Sequence, residues 1–260
     1  MKYRRIACLS TEAVETLYLL GAEDCLVGIS GFTVYPARAR KEKPRVSGFS
    51  SAKVERILAV DPDLVVGFSD LQAEIMQELV KRGIEVHIYN HRDIAGIFRM
   101  IRSLGALVDR AGTATMVIAD LEERVAQARR ESSRMSNRPK VYFEEWNEPL
   151  ISGIGWAAEI VNLAGGEDCF PELSRHHRAK DRIIADPAEV IRRQPDIIVG
   201  SWCGKKFVPE HVLARPGWEA IPAVRERRLY EIKSADILAP GPSAITRGLK
   251  RMAEIVAQSA

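Results

Sequence analysis

Two short segments of this 260-residue chain occur twice, in the same order, and that duplication restricts its fold more than any other feature. Gly21-Ala22-Glu23-Asp24-Cys25 returns as Gly165-Gly166-Glu167-Asp168-Cys169. Pro62-Asp63-Leu64-Val65-Val66-Gly67 returns as Pro195-Asp196-Ile197-Ile198-Val199-Gly200. A helix-like stretch precedes every copy, at 14–20, 157–164, 54–60 and 188–193. A chain repeating itself in this way reads as two lobes of one design.

Within each lobe helical and strand patterns alternate. Leu64-Val65-Val66 and Ile197-Ile198-Val199 are short continuous apolar runs, the pattern of strands buried on both faces. Val86-His87-Ile88-Tyr89 is another such strand, fed by a helix over 71–82 that stops at Gly83. Alternation of this kind calls for parallel sheets with right-handed crossovers. The longest helical segment, about 109–135, lies between the lobes. Val117, Leu121, Val125 and Ala128 form one apolar stripe on it, and Ser136-Asn137-Arg138-Pro139 ends it before the strand Lys140-Val141-Tyr142-Phe143. The expected architecture is therefore α/β: a parallel-sheet, Rossmann-like lobe at 1–108, a connecting helix at 109–136 and a second such lobe at 137–260 with a terminal helix. One helix is a stiff connector, so only small lobe motions are expected on ligand binding.

Composition narrows the class. With 46% hydrophobic and 28% charged residues the chain is an ordinary soluble globular protein. A formal charge of +3, with its basic pairs dispersed, gives no footprint for nucleic acid. No apolar run approaches the ~20 residues of a membrane span. Met1-Lys2-Tyr3-Arg4-Arg5 leads straight into Ile6-Ala7-Cys8-Leu9 with no apolar signal region. Such a start fits a cytosolic chain, or one whose export signal has been removed. Cys8, Cys25, Cys169 and Cys203 are scattered, which indicates neither a zinc knuckle nor a disulfide framework.

Ligands of open parallel sheets bind outside the carboxyl ends of the strands. Four such ends are readable here: Ser10-Thr11-Glu12, Phe68-Ser69-Asp70, Glu144-Glu145-Trp146-Asn147 and Ser201-Trp202-Cys203-Gly204-Lys205-Lys206. Aromatics recur at them as Phe68, Trp146 and Trp202, with Trp156 slightly later. Core packing is an equal account of any one tryptophan, but three together favour a flat apolar ligand. Gly153-Ile154-Gly155-Trp156-Ala157-Ala158 fits a relaxed dinucleotide fingerprint. It lacks the immediately preceding strand and the acidic residue ~20 positions on that the fingerprint requires. Its glycines are expected to let backbone approach closely ahead of a helix beginning near Trp156. His87 and His91 are not in helical zinc geometry, His176 and His177 lie in a polar loop, and no metal site is expected. Cys203 has no activating partner in sequence. Glu144 and Glu145, adjacent on an extended segment, face opposite ways and do not form an acid–base pair. Catalysis finds no support.

These residues resemble a known family: the single-long-helix substrate-binding proteins of ABC importers, which serve cobalamin, haem and iron–siderophore uptake. The resemblance covers nearly the whole chain. It is carried by Leu9-Ser10-Thr11-Glu12, Leu19-Leu20-Gly21, Leu26-Val27-Gly28-Ile29-Ser30, Tyr35-Pro36 and Pro44-Arg45-Val46-Ser47-Gly48. The stretch from Val54 to Val65, and Gly217-Trp218-Glu219-Ala220-Ile221-Pro222-Ala223-Val224 with Leu229-Tyr230, carry it further. It implies a non-catalytic binding component, acting as a monomer, that holds its ligand in a cleft between the lobes and delivers it to permease and ATPase subunits. It also implies a periplasmic or membrane-anchored location. The nearest branches bind cobalamin, so a corrinoid is the expected transported ligand, with no catalytic cofactor. By that resemblance Phe68 takes the place of a cleft tryptophan and Asp236 that of a polar ligand contact. Pro240 stands where an arginine is expected, which leaves other corrinoids, haem or iron chelates open. Tyr35 and His91 would be the axial candidates for haem, and Lys205 and Lys206 are the cations a siderophore would meet. A cytosolic corrinoid-binding or sensing protein is the further alternative. The ligand-contact set expected on these grounds is Thr11, Glu12, Phe32, Tyr35, Phe68, Trp146, Trp156, Trp202, Cys203, Lys205 and Asp236. Glu74 and Glu210 are expected to dock on the permease.

Overall fold

The computed structural model of the protein describes residues 3–259. The chain divides into two compact units. One takes the residues through His91 together with Ala95–Leu121; the other takes Arg92–Ile94 together with everything from Glu122 onward.

The first unit is built on β1 (Ile6–Cys8), β2 (Leu26–Ser30), β3 (Arg45–Ser47), β4 (Leu64–Phe68) and β5 (Val86–Tyr89). They lie in the order β3-β2-β1-β4-β5, every neighbouring pair parallel. β1 is central and wholly buried, as its unbroken apolar run requires. Val46, Ile57, Val65, Met76 and Leu79 form a core on one side of the sheet.

The second unit contains β6 (Lys140–Asn147), β7 (Leu150–Ser152), β8 (Glu167–Asp168), β9 (Ile197–Gly200) and β10 (Leu229–Glu231). β9 runs parallel along one edge of β6, and β10 runs parallel to β9. The other edge of β6 is shared by β8, parallel at its beginning, and β7, antiparallel at its end. The sheet is thus not purely parallel as expected. Pro149, in a cis peptide bond with Glu148, sits in the turn that folds β7 back on β6.

The repeat seen in sequence is a repeat of topology. The order β2-β1-β4-β5 in one unit is matched by β8-β6-β9-β10 in the other. Gly21 and Gly165 each follow a helix, Thr11–Leu19 or Gly155–Leu163, with φ of +62° and +94°. That left-handed cap is one glycine adopts without steric cost. Gly67 and Gly200 close the other repeat for a different reason. A Cβ on Gly67 would lie 2.0 Å from Met76 Cε and 2.6 Å from Gln72 Oε1; one on Gly200 would lie 1.9 Å from Phe207 Cδ2. In both units a side chain from the next loop or helix fills the glycine's empty space.

The long helix is Ala111–Ser132, and the division between units falls within it, after Leu121. Its buried stripe is Ala114, Ile118, Leu121 and Ala128, with Val117 and Val125 half-buried beside it. The stripe is therefore turned slightly from the expected one, because Ile118 rather than Val117 takes the inner position. Among the described residues no helix is long and apolar enough to cross a membrane.

Candidate ligand-binding site

Because the five strands of the first unit are parallel, their carboxyl ends share one edge. Ser10-Thr11-Glu12 follow β1, Phe32 follows β2, Phe49 follows β3, Phe68 ends β4 and His91 follows β5. Phe32 and Phe49 are 57% and 48% exposed, yet their rings meet edge to face at 6.2 Å. Phe68 is half-buried and meets buried His91 at 5.4 Å, and His91 in turn meets Tyr89 at 6.3 Å. Two exposed phenylalanines side by side leave apolar surface in water, a configuration a fold retains where something covers it. Phe49 was not among the residues singled out from sequence. Its signal was available, since it follows Gly48 at a strand end as Phe68 follows Gly67. Tyr35, half-buried, lies farther along the loop after β2 in a cis bond to Pro36.

The same edge holds an unusual acid. Glu12 is 4% exposed in the first turn of its helix. Its Oε2 accepts from Thr11 Oγ1 at 3.2 Å, while Oε1 has no partner. Burial pushes the carboxyl up to about 7, against the opposing pull of its own backbone N–H and the Thr11 and Ser10 hydroxyls.

In the second unit β6 carries the chemistry. Glu144 and Glu145 do face opposite ways, and each meets its own arginine. Glu144, fully buried, accepts from Arg215 Nη1 at 2.6 Å and Nη2 at 2.8 Å and from Trp202 Nε1 at 2.9 Å. Glu145 accepts from Arg182 Nη1 at 2.7 Å and Nη2 at 3.0 Å, and Nη1 also donates to the Ser152 carbonyl of β7. Both acids are ion-paired strand residues, which agrees with the absence of an acid–base role.

The tryptophans separate into two groups. Trp146 is half-buried at the end of β6, its Nε1 donating to the Glu148 carbonyl at 2.7 Å. Lys205, exposed in the loop after β9, places its ammonium 4.1 Å from the Trp146 ring centre and 5.1 Å from that of Trp202. Such a cation–aromatic contact orders an otherwise free lysine. Trp202 itself is 2% exposed, edge-on to Phe207 at 5.0 Å and stacked on His211 at 6.0 Å. Trp156 is 3% exposed with its Nε1 on the Ile237 carbonyl at 2.8 Å. The expectation that Trp156 and Trp202 present open faces to a ligand is corrected here: both are packed inside the unit with their N–H groups satisfied. Trp202→Ala should accordingly act on stability, costing about 3–5 kcal/mol as large-to-small core changes do, with urea denaturation as the measurement. Cys203 is exposed and Asp236 half-buried, beyond β9 and β10 respectively. Packing around its sulfur and the nearby negative charge of Glu145 push the Cys203 thiol above its ordinary range. Gly153 and Gly155 play the close-approach role expected of them: a Cβ on Gly155 would lie 2.5 Å from the Arg92 carbonyl oxygen. Among the described residues no cluster of three or more metal-ligating side chains occurs.

Comparison with known proteins agrees with this anatomy. The sequence profile of the family described as periplasmic binding protein matches residues 6–235. A vitamin B12-binding protein of Vibrio parahaemolyticus is 24% identical over 249 residues, covering 93% of this chain and 85% of that protein. The crystal structure of the periplasmic vitamin B12 binding protein BtuF of Vibrio cholerae superposes with a TM-score of 0.79 at 21% identity, covering 99% of this chain and 98% of the other. The periplasmic heme-binding protein RhuT of Roseiflexus sp. RS-1 in apo form gives 0.82, also at 21% identity, over 97% and 99%. The family profile spans most of the chain, and the chain belongs to the periplasmic binding protein family.

Proposed function

We propose that this protein is the substrate-binding component of an ABC importer and that its ligand is a corrinoid of the cobalamin type. The observation that supports this most is the aromatic rings at strand ends: exposed Phe32 against exposed Phe49 in one unit, and half-buried Trp146 under Lys205 in the other. Flat rings on rigid strand ends suit a flat, largely apolar macrocycle, because little side-chain freedom is lost on binding. The names of the B12-binding relatives point the same way. Thr11, Tyr35, Phe68, Cys203 and Asp236 belong to the same strand-end and loop regions and complete the proposed contact set. Glu74, on the helix Ala73–Lys81, and Glu210, on the helix Pro209–Leu213, are both exposed. They are the proposed contacts to the permease, whose ATPase drives the import. A periplasmic or membrane-anchored location follows from this role.

Calorimetric and spectral titration with cobalamin, cobinamide and haem tests the reading. One corrinoid per chain is expected, and Trp146→Ala should weaken it by roughly 2 kcal/mol, about thirtyfold, as loss of an aromatic anchor does. Binding of haem with no response to either corrinoid would reject the assignment.

A further inference from the structure

Gln72 is 3% exposed and lies between β4 and the helix Ala73–Lys81. Its amide is used from both ends. Oε1 accepts the backbone N–H of Phe68 at 3.0 Å, and Nε2 donates to the carbonyls of Leu9 at 3.1 Å and Phe49 at 2.7 Å. Leu9 follows β1, Phe49 follows β3 and Phe68 ends β4, so one side chain ties three strand ends that are 63, 23 and 4 residues from it in sequence. Ser69, held at φ +64°, adds a fourth, its N–H donating to the Tyr89 carbonyl at the end of β5 at 2.7 Å. The space Gln72 occupies exists because residue 67 is glycine. A buried amide is costly unless its groups are bonded, and here both ends of the Gln72 amide are bonded to backbone at three strand ends.

The aromatic rings depend on that arrangement. Phe49 and Phe68 are bonded to Gln72 directly, and Phe32 rests on the ring of Phe49. We propose that Gln72 is a positioning residue for ligand recognition, its buried amide setting where Phe32, Phe49 and Phe68 stand at the strand ends. This rests on the reading that the strand-end aromatics bind the ligand.

Gln72→Glu and Gln72→Met separate positioning from packing. At pH 8 a carboxylate at position 72 still accepts from Phe68 N–H, but it faces the Leu9 and Phe49 carbonyls with no proton to donate. Affinity for cobinamide should fall tenfold or more. On acidification the carboxyl gains a proton, one donor bond returns, and affinity relative to the parent at the same pH should recover. Measuring the parent at every pH cancels the titration of Glu12 in the same unit. Gln72→Met, of similar size but without polar atoms, should lose affinity at every pH. Fluorine spectra of protein labelled with fluorophenylalanine give a readout without ligand. Resonances displaced in Gln72→Glu at pH 8 should return towards their parental positions at pH 5. Parental fluorine spectra in both variants would overturn the proposal even if corrinoid binds normally. So would an affinity loss in Gln72→Glu that shows no recovery on acidification. If the parent binds no corrinoid, the ligand assignment falls and the fluorine experiment still decides the role of Gln72.

Discussion

Arg215→Met should destabilise the second unit by about 3–5 kcal/mol, the cost expected when one member of a buried ion pair is removed. Glu144 is fully buried, and two of the three hydrogen bonds described above come from the Arg215 guanidinium. Without that guanidinium the carboxylate loses its charged partner while keeping Trp202 Nε1 as a donor, which leaves its charge buried and unpaired. Arg215 also lies 4.4 Å over the Trp218 ring, so packing is lost with the charge. The pair and the arginine alone are different quantities. The double variant Glu144→Gln with Arg215→Met removes both charges and should recover much of the loss, since a buried pair is often worth little against a neutral replacement. Urea denaturation of the parent, both single variants and the double variant measures the coupling directly. Additive losses in the double variant would show that the two residues act independently.

The second large effect is a pH dependence centred on Glu12. A glutamate ordinarily titrates near 4.5, and here burial raises it to about 7. The sign follows from which form the fold prefers. Below pH 4.5 the carboxyl is protonated whether folded or unfolded and contributes no difference. Between about 4.5 and 7 the unfolded chain ionises while the folded one keeps its proton, so stability falls as pH rises; above 7 the full cost is present. That cost is roughly 3 kcal/mol at pH 8, on the order of 1.4 kcal/mol for each unit of displacement. Asp168 in the second unit is raised to about 6 by burial and adds a smaller effect of the same sign. Glu12→Gln should therefore flatten the dependence and make the protein more stable than its parent at pH 8, by several degrees in Tm, and no more stable at pH 4. Thermal melts of both proteins from pH 4 to 8 provide the comparison. Parallel Tm curves for the two would mean that Glu12 is not the group responsible.

The architecture was legible in the sequence because its signals are local. Continuous apolar triplets marked β4 and β9, a helix with one apolar stripe marked the segment between the lobes, and the repeated motifs marked the duplicated order of strands. The β6–β7 hairpin was missed because Pro149 reads as an interruption until the turn around it is seen. The site was only partly legible. Strand-end position exposes residues such as Phe68 and Trp146 to inspection, and Phe49 could have been found by the same rule. Whether a tryptophan at a strand end points outward or inward depends on partners such as Ile237, 81 residues from Trp156. Glu144 and Arg215, 71 residues apart, and Gln72 with Leu9, 63 apart, are likewise pairings made by the folded sheet. No periodicity encodes them.

The empty glycine positions at the ends of β4 and β9 bear on how such a protein diversifies. Each works as a socket, plugged in one unit by Met76 and Gln72 and in the other by Phe207. Socket and plug lie within about ten residues of each other along the chain, so strand, loop and plug travel together through any insertion, deletion or recombination. A duplicated gene could thus rewrite one strand-end loop without disturbing its sister. Each unit would then vary its own strand-end loop while keeping a common scaffold. Grafting 67–76 or 200–207 as an intact cassette between relatives should preserve folding, whereas exchanging the loop without its plug should leave a void beside the glycine.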